Sequence, residues 1–432
     1  MFDKVLIANR GEIACRIART CRKHGVATVG VYSSADRNAM HVTVMEETVR
    51  IGAAPSSESY LNIDALIKVA LQTRVEAVHP GYGFLSENAL FAEACENAGL
   101  VFIGPSPEAI RLMGSKGEAK RIMAEAGVPV LPGHTCIGQD DASLAASAGV
   151  VGYPVMVKPV AGGGGRGMRV VTRSDDLAEA LKSARREAVS SFGDEALLIE
   201  KLVERPRHIE VQIFGDTHGN VVHLFERDCS IQRRHQKVVE EAPAPALDED
   251  VRAGLLEASL TAAKAVGYVG AGTVEFLLAA DGTAWFMEMN TRLQVEHPVT
   301  EQITGIDLVE WQLRVAAGEE LPLRQEEILC NGHSIEARLY AEDPANDFAP
   351  GYGSVAYLDL PDETDMIRID SGVRQSDEIT VHYDPMVAKI IATGMDRDAA
   401  CVTMSAALGR VRIAGPAANE KFLKAIVDHS EF

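Results

Sequence analysis

Positive charge is what this sequence has least of. Its 432 residues carry 42 Lys and Arg against 62 Asp and Glu, a formal net charge of −20. That balance excludes a general nucleic-acid or membrane-surface binder, and any anionic ligand must meet cations concentrated locally. Aromatic residues are also sparse, at 5%. No apolar run approaches the roughly 18 residues of a membrane span. The opening "MFDKVLIANRGE" lacks the layout of a signal or transit peptide. The seven cysteines (Cys15, Cys21, Cys95, Cys136, Cys229, Cys330, Cys401) form no C-x-x-C pair, which excludes a disulfide framework or a cysteine zinc site. The segment "NRGEIA" lacks G-x-G-x-x-G, so it is a poor dinucleotide loop. We find no internal repeat and no low-complexity tail. The expectation is a cytoplasmic protein.

Length and pattern give the organisation. A chain of this size divides into roughly three domains, and 47% hydrophobic content fits globular folding. Over residues 1–112, "KVLIAN", "ATVGVYS", "VEAVHPGYG" and "LVFIGPS" are strand-like and alternate with helical segments, one of them capped by Ser86. This is the rhythm of an α/β, doubly wound parallel sheet. A helix over about 107–127 leads through "VPVLPG" into a small α+β unit, residues 113–203. Residues 204–432 are rich in strands, beginning with a hairpin that turns at His218, Gly219 and Asn220.

Four stretches carry chemistry. "KPVAGGGGRGM" places a glycine run between two strand-like segments. Such a run is either a flexible linker or a turn whose bare N–H groups cover polyphosphate beside Lys158. "GTVEFLLAADGTAWFMEMN" reads as a hairpin on the two-residue loop Asp281-Gly282, pairing 280 with 283 and setting Glu275 opposite Glu288. Opposed carboxylates destabilise a hairpin unless they splay into solvent or a divalent cation such as Mg²⁺ or Mn²⁺ lies between them, with Asn290 as a further oxygen. "EMNTRLQVEHPVTE" gathers Arg292, Gln294, Glu296 and His297; Arg292 suits a planar carboxylate or bicarbonate and Glu296 a general base, while His297 reads equally as structural. "FERDCSIQRRHQK" concentrates cations in an acidic chain, as a site or as a solvated strand.

Together with "KVLIANRGEIA", "EAVHPGYGFLSEN", "SIEARLYAEDP" and "HYDPMVAKI", these motifs run in order from residue 4 to about 390 and resemble the biotin carboxylase family of the ATP-grasp superfamily. The fine detail is most similar to the carboxylase part of acyl-CoA carboxylases. The resemblance implies a three-domain ATP-grasp architecture: an N-terminal doubly wound parallel sheet, a small α+β lid and a strand-rich C-terminal domain. It implies that MgATP activates bicarbonate as carboxyphosphate and that the carboxyl group passes to biotin. By matching motif, Lys116, Lys158, Gly163, Gly164, Gly165, Glu200, Lys201, Val203, His208, Gln232, His235 and Leu277 bind ATP. Glu275, Glu288 and Asn290 hold Mg²⁺ or Mn²⁺. Lys237, Arg292, Gln294 and Val295 surround bicarbonate, Glu296 deprotonates it, Arg338 steadies the biotin enolate, and Tyr82 borders the biotin site.

Two positions depart from the family pattern: Pro159 after the flap lysine, and Ala418 before Asn419. With Ala418 and the stop at Phe432, the C-terminal wall by the adenine is expected to be slightly altered or shortened. No "AMKM"-like lysine is present, so biotin is expected on a carrier protein, with a carboxyltransferase subunit and a homodimer as further partners and no nucleic acid or membrane. The final acceptor, an acyl-CoA or a keto acid, is not encoded here. The rival readings are another ATP-grasp ligase, of purine-carboxylase or carbamoyl-phosphate type, and a catalytically silent nucleotide-binding module.

Overall fold

The computed structural model describes residues 1–136, 140–160 and 167–432. In the first sheet β1 (Lys4–Ile7), β2 (Ala27–Ser33), β3 (Glu47–Gly52), β4 (Ala77–His79) and β5 (Val101–Phe102) lie in the order β3-β2-β1-β4-β5, all parallel. Val5, Leu6 and Ile7 are fully buried, as a strand covered on both faces requires. Helix α1 (Gly11–Lys23) buries Ile13, Ala14, Ile17 and Cys21, apolar positions three and four apart.

Two expectations here are corrected. The helix Ala89–Asn97 is capped by Asn88, whose side chain accepts from the Phe91 N–H, whereas Ser86 lies in the preceding turn. The single helix expected over 107–127 is two, Pro107–Gly114 and Lys116–Glu125, because Ser115 is extended (φ −93°, ψ 105°).

A second, antiparallel sheet has β6 (Gly133–Cys136), β7 (Val155–Pro159), β8 (Arg169–Val171) and β9 (Leu197–Lys201) in the order β6-β9-β7-β8. It packs on the helices Asp141–Val151 and Leu177–Phe192 through Val155, Val157 and Ile199 against Leu144, Leu181 and Ala184. Pro159 is accommodated because the β7–β8 ladder ends at Val157, so its missing N–H removes no bond on that side. Gly167 packs on it: at φ +76°, an added Cβ would lie 2.7 Å from Pro159 Cγ.

The largest sheet has eight strands. β10 (Arg207–Gly215), β11 (Val221–Arg233), β12 (Gln236–Ala242), β13 (Gly270–Leu278), β14 (Ala284–Asn290) and β15 (His333–Tyr340) run in the order β14-β13-β10-β11-β12-β15, followed by Met386–Gly394 and Ile367–Ser371. The β13–β14 hairpin does pair Glu275 with Glu288, but by a different route from the expected one. Its turn holds three residues, since Ala279 N–H bonds Thr283 O and Leu278 faces Ala284. A bulge between Glu275 and Phe276 then shifts the register back. No described helix is long and apolar enough to cross a membrane.

Arg227 is the largest fully buried side chain and ties this sheet together. It donates to Glu210 (2.6 Å), Gln212 (2.8 Å), Thr300 (2.9 Å) and Thr273 (3.2 Å). Replacing it with Met would leave the buried Glu210 carboxylate with only Lys237 as its counter-charge. Breaking a buried pair in this way costs about 3–5 kcal/mol. Arg227→Met is therefore expected to lower the unfolding midpoint markedly in urea, and an unchanged midpoint would contradict this role.

Candidate active site

Three neighbouring strands set glutamates abreast. Glu210 on β10 pairs with Glu275 on β13, which pairs with Glu288 on β14. Like charges directly opposed on one face are destabilising, and burial sharpens the cost: Glu210 is fully buried and Glu275 is 3% exposed. The compensation comes from Lys237 on β12. Its ammonium donates to Glu210 (2.5 Å), Glu275 (2.9 Å) and Glu296 (2.6 Å). Burial would lower the Lys237 proton affinity, yet the three carboxylates hold it well above the usual lysine value.

Around this hub the predicted residues assemble. Glu275 receives, besides Lys237, Asn290 Nδ2 (2.8 Å), Gln294 Nε2 (2.9 Å) and a ring nitrogen of His208 (2.9 Å). Although burial would raise it, Lys237 and His208 keep the Glu275 carboxyl well below the usual range. Glu288 takes none of these donors, and burial together with the Glu275 charge raises it. Two opposed carboxylates with the Asn290 amide beside them form a hard-oxygen set that fits Mg²⁺ or Mn²⁺. Gln232 donates to the other nitrogen of His208 (2.9 Å).

Glu296 is fully buried between cations. Arg338 donates to it at 2.9 Å, opposite Lys237. Burial would raise the Glu296 carboxyl, but Lys237, Arg338 and Arg227 outweigh that and hold it well below the usual range. Arg292 is braced by Glu87 (2.8 Å), and Val295 by Lys389, whose ammonium donates to its carbonyl (2.9 Å). A cavity of about 590 Å³ opens beside these groups, lined by Tyr82, Arg292, Val295, Arg338, Tyr340 and Tyr383 among others. Burial and the Glu12 carboxylate, which accepts from the Tyr82 hydroxyl, push that phenol well above its usual value.

The second cationic cluster lies under the small sheet. Glu200, 3% exposed, is flanked by Lys158 (2.5 Å) and Lys120. Despite Glu200, burial and the charge of neighbouring lysines push Lys120 down to about 7 and Lys158 to about 8. Lys201 turns its ammonium to the carbonyls of Gly152 (2.9 Å) and Tyr153 (3.1 Å). Leu277 is half-buried opposite His208, and Val203 is half-buried just beyond β9. His235 is exposed and follows Arg234 in the turn from β11 to β12, both at positive φ (49° and 67°), a conformation non-glycine residues adopt only under strain. Lys116 begins its helix. Gly163, Gly164 and Gly165 lie outside the described residues.

Sequence reasoning missed four contributors. Lys120 had a signal, since it stands four residues after Lys116 on one helix. Glu210 had one too, two residues after His208 and so on the same strand face. Glu87 and Lys389 had none, because their contacts to Thr291–Arg292 and Val295 span 204 or 205 and 94 positions.

The chain matches three family profiles end to end: "Biotin carboxylase, N-terminal domain" over residues 1–110, "Carbamoyl-phosphate synthase L chain, ATP binding domain" over 115–324, and "Biotin carboxylase C-terminal domain" over 336–432. It is 50% identical over 431 residues to a biotin carboxylase of Nostoc sp., covering 100% of this chain and 96% of that one. The chain belongs to the biotin carboxylase family. Members of this family are ATP-dependent ligases. The chain is also 58% identical over 431 residues to the mitochondrial methylcrotonoyl-CoA carboxylase subunit alpha of Rattus norvegicus, covering 100% of this chain and 60% of that subunit. It therefore spans about three-fifths of the length of that relative. A biotin carboxylase–β,γ-ATP complex from Campylobacter jejuni superposes with TM-score 0.97 at 46% identity, covering 100% of this chain and 96% of that one. The biotin carboxylase domain dimer of Hydrogenobacter thermophilus 2-oxoglutarate carboxylase, in complex with MgADP, ADP and bicarbonate, gives TM-score 0.96 at 46% identity over 100% of this chain and 95% of that one.

The lysine cluster of this biotin carboxylase family member leads to a prediction about linkage. With Lys120 near 7 and Lys158 near 8, part of the ammonium charge is absent from the free protein above neutral pH. Polyphosphate favours the charged form. Binding of ADP at about pH 8 should then take up protons, and affinity should fall as pH rises. Calorimetric titrations in buffers of different ionisation enthalpy measure this. Proton release, or none exchanged, would contradict the assignment of these lysines to the phosphates.

Proposed function

We infer that this biotin carboxylase family member uses MgATP and bicarbonate to carboxylate biotin presented on a separate carrier, the first half-reaction of a biotin-dependent acyl-CoA carboxylase. The observation that carries the reading is Glu296: a buried, ionised carboxylate fixed between Lys237 and Arg338, with Arg292 and the cavity alongside.

Bicarbonate is a weak nucleophile until its remaining proton is removed. Lys237, Arg292, Gln294 and the Val295 segment hold the anion, and Glu296 accepts that proton. The bicarbonate oxygen attacks the γ-phosphorus, the bond to the β–γ bridging oxygen breaks, and ADP leaves with carboxyphosphate formed. Lys116, Lys120 and Lys158 offset phosphate charge. Mg²⁺ or Mn²⁺, held by Glu275, Glu288 and Asn290, supplies neutralisation of the transferred phosphoryl charge. Carboxyphosphate breaks at its C–O bond into CO₂ and phosphate beside the 590 Å³ cavity, a size suited to a small bicyclic urea; the phosphate takes the N1′ proton of biotin and N1′ attacks CO₂, giving carboxybiotin. Arg338 stabilises the negative charge that develops on the ureido oxygen when biotin N1′ is deprotonated, and Tyr82 borders that ring.

The nucleotide side, His208, Gln232, His235, Glu200, Lys201, Val203 and Leu277, is assigned by the same reading, as is a division at 112 and 203 with the small sheet and its glycine loop as lid. The partners are a biotin carrier, a carboxyltransferase and a second copy of this chain, the last supported by the dimeric relative. A cytoplasmic location is kept as part of the proposal beside bacterial relatives, although other relatives are mitochondrial. The flanking profiles favour this reading over a carbamoyl-phosphate-type ligase, which the central one alone would allow. Intact Glu296, Arg292 and Arg338 favour it over a silent module.

ADP release should require bicarbonate and rise on adding free biotin; indifference to both would refute the carboxylase reading. Arg338→Gln separates the halves. Loss of one such preorganised donor costs about 10²–10³ in rate, so biotin carboxylation should nearly vanish while bicarbonate-dependent ATP cleavage without biotin largely survives. An equal fall in both would place Arg338 in phosphoryl transfer or folding instead.

A further inference from the structure

A second pair of opposed glutamates lies next to the catalytic base. Glu240 on β12 and Glu336 on β15 are direct cross-strand partners, both fully buried. None of their four carboxylate oxygens has a hydrogen bond. Glu240 Oε1 lies 2.5 Å from Arg338 Nη2, close enough to pair but not aligned as a hydrogen bond, while the same Nη2 donates to Glu296 at 2.9 Å. The other charged or titratable groups facing the pair are Lys237 on β12, Cys229 on β11, Lys389 on Met386–Gly394, Glu296, and Tyr82. Those two lysines are committed elsewhere: Lys237 to Glu210, Glu275 and Glu296, Lys389 to Glu12 (3.2 Å) and the Val295 carbonyl (2.9 Å). One guanidinium is left among three carboxylates.

Two ionised carboxylates opposed on neighbouring strands, both buried and with one guanidinium that Glu296 shares, cannot both persist; one proton shared between them removes the repulsion. Resting on the roles of Glu296 and Arg338 given above, we propose that Glu240 and Glu336 hold one proton between them and that this singly charged pair is the counter-ion sharing Arg338 with the catalytic base. Both glutamates are thus positioning residues. The pair is the protonic counterpart of Glu275 and Glu288, whose repulsion a metal ion relieves.

The direction of titration agrees. Burial, opposed by Arg338, raises Glu240 to about 7, and burial raises Glu336, opposed by Lys389, well above the usual range. As pH falls through about 7 the pair takes its second proton, Arg338 turns wholly to Glu296, and the base loses proton affinity. Above that pH one proton stays, on the Glu336 side.

Infrared difference spectroscopy of the full chain at about pH 8 tests this directly, because a protonated carboxyl has its own C=O stretch. The parent-minus-variant spectrum should show loss of that band in Glu336→Gln and its retention in Glu240→Gln. In Glu240→Gln the acid limb of kcat/KM for bicarbonate-dependent ADP release should also move to lower pH, since Glu296 then has Arg338 to itself. An unchanged band in Glu336→Gln, or an unmoved pH profile in Glu240→Gln, would overturn the proposal. If Glu336→Gln does not fold, the pH titration of the parent band decides: a buried carboxyl proton must persist at neutral pH, where ordinary carboxyls are ionised. Parent enzyme showing the band but no bicarbonate-dependent ADP release would sink the functional reading and leave the shared proton standing.

Discussion

Lys237 is the constraint on which the rest of the site depends. Its ammonium contacts three buried carboxylates on three segments, Glu210 from β10, Glu275 from β13 and Glu296 from the loop before the helix His297–Thr304. Without a cation there, the cross-strand row Glu210–Glu275–Glu288 would repel itself apart. With it, one carboxylate on each side is kept ionised: Glu275 on the side proposed for the metal and Glu296 on the side proposed for bicarbonate. The same ion pair network thus fixes the distance between the phosphoryl and base halves of the chemistry.

Each buried acid of the site is balanced in a distinct way, and the way decides its use. Glu210 has Arg227 and serves the fold. Glu275 and Glu296 are kept ionised by neighbouring cations and, in the proposed reaction, serve as metal oxygen and base. Glu288 has no hydrogen-bond donor among the described residues, which in the proposed reaction leaves it for a divalent ion. Glu240 and Glu336 have only Arg338 and one proton. For a chain of net charge −20, this is how anionic substrates can be accepted: the positive charge is spent inside, beside the reacting groups, and not spread on the surface.

The parts legible in the sequence were those carried by local pattern. Alternating short apolar runs and helices gave the parallel sheet, and Asp281-Gly282 gave the hairpin. The Glu275–Glu288 pairing was right although the turn was not, since a three-residue turn and a bulge offset each other; neither leaves a mark in composition. The break at Ser115 was missed because the helical periodicity runs on through it. Long-range partners were invisible for a simpler reason. Glu87 to Arg292, Lys389 to Val295, and Asn419, whose side chain accepts from the Tyr340 N–H (2.9 Å) and donates to the Arg338 carbonyl (3.1 Å), are set by strand order and not by spacing. Motif resemblance supplied the roles of Lys237, Arg292, Glu296 and Arg338; tertiary packing supplied what holds them.

The central claim is that Lys237 keeps Glu296 ionised as the base, and the pH profile of Lys237→Gln tests it most directly. Burial favours the protonated carboxyl, and Lys237 is the largest influence opposing it. Removing that charge must raise the proton affinity of Glu296, so the acid limb of bicarbonate-dependent ATP cleavage, followed in single-turnover experiments, should shift to higher pH along with the fall in rate. A slower enzyme whose acid limb stays where it was would contradict the account.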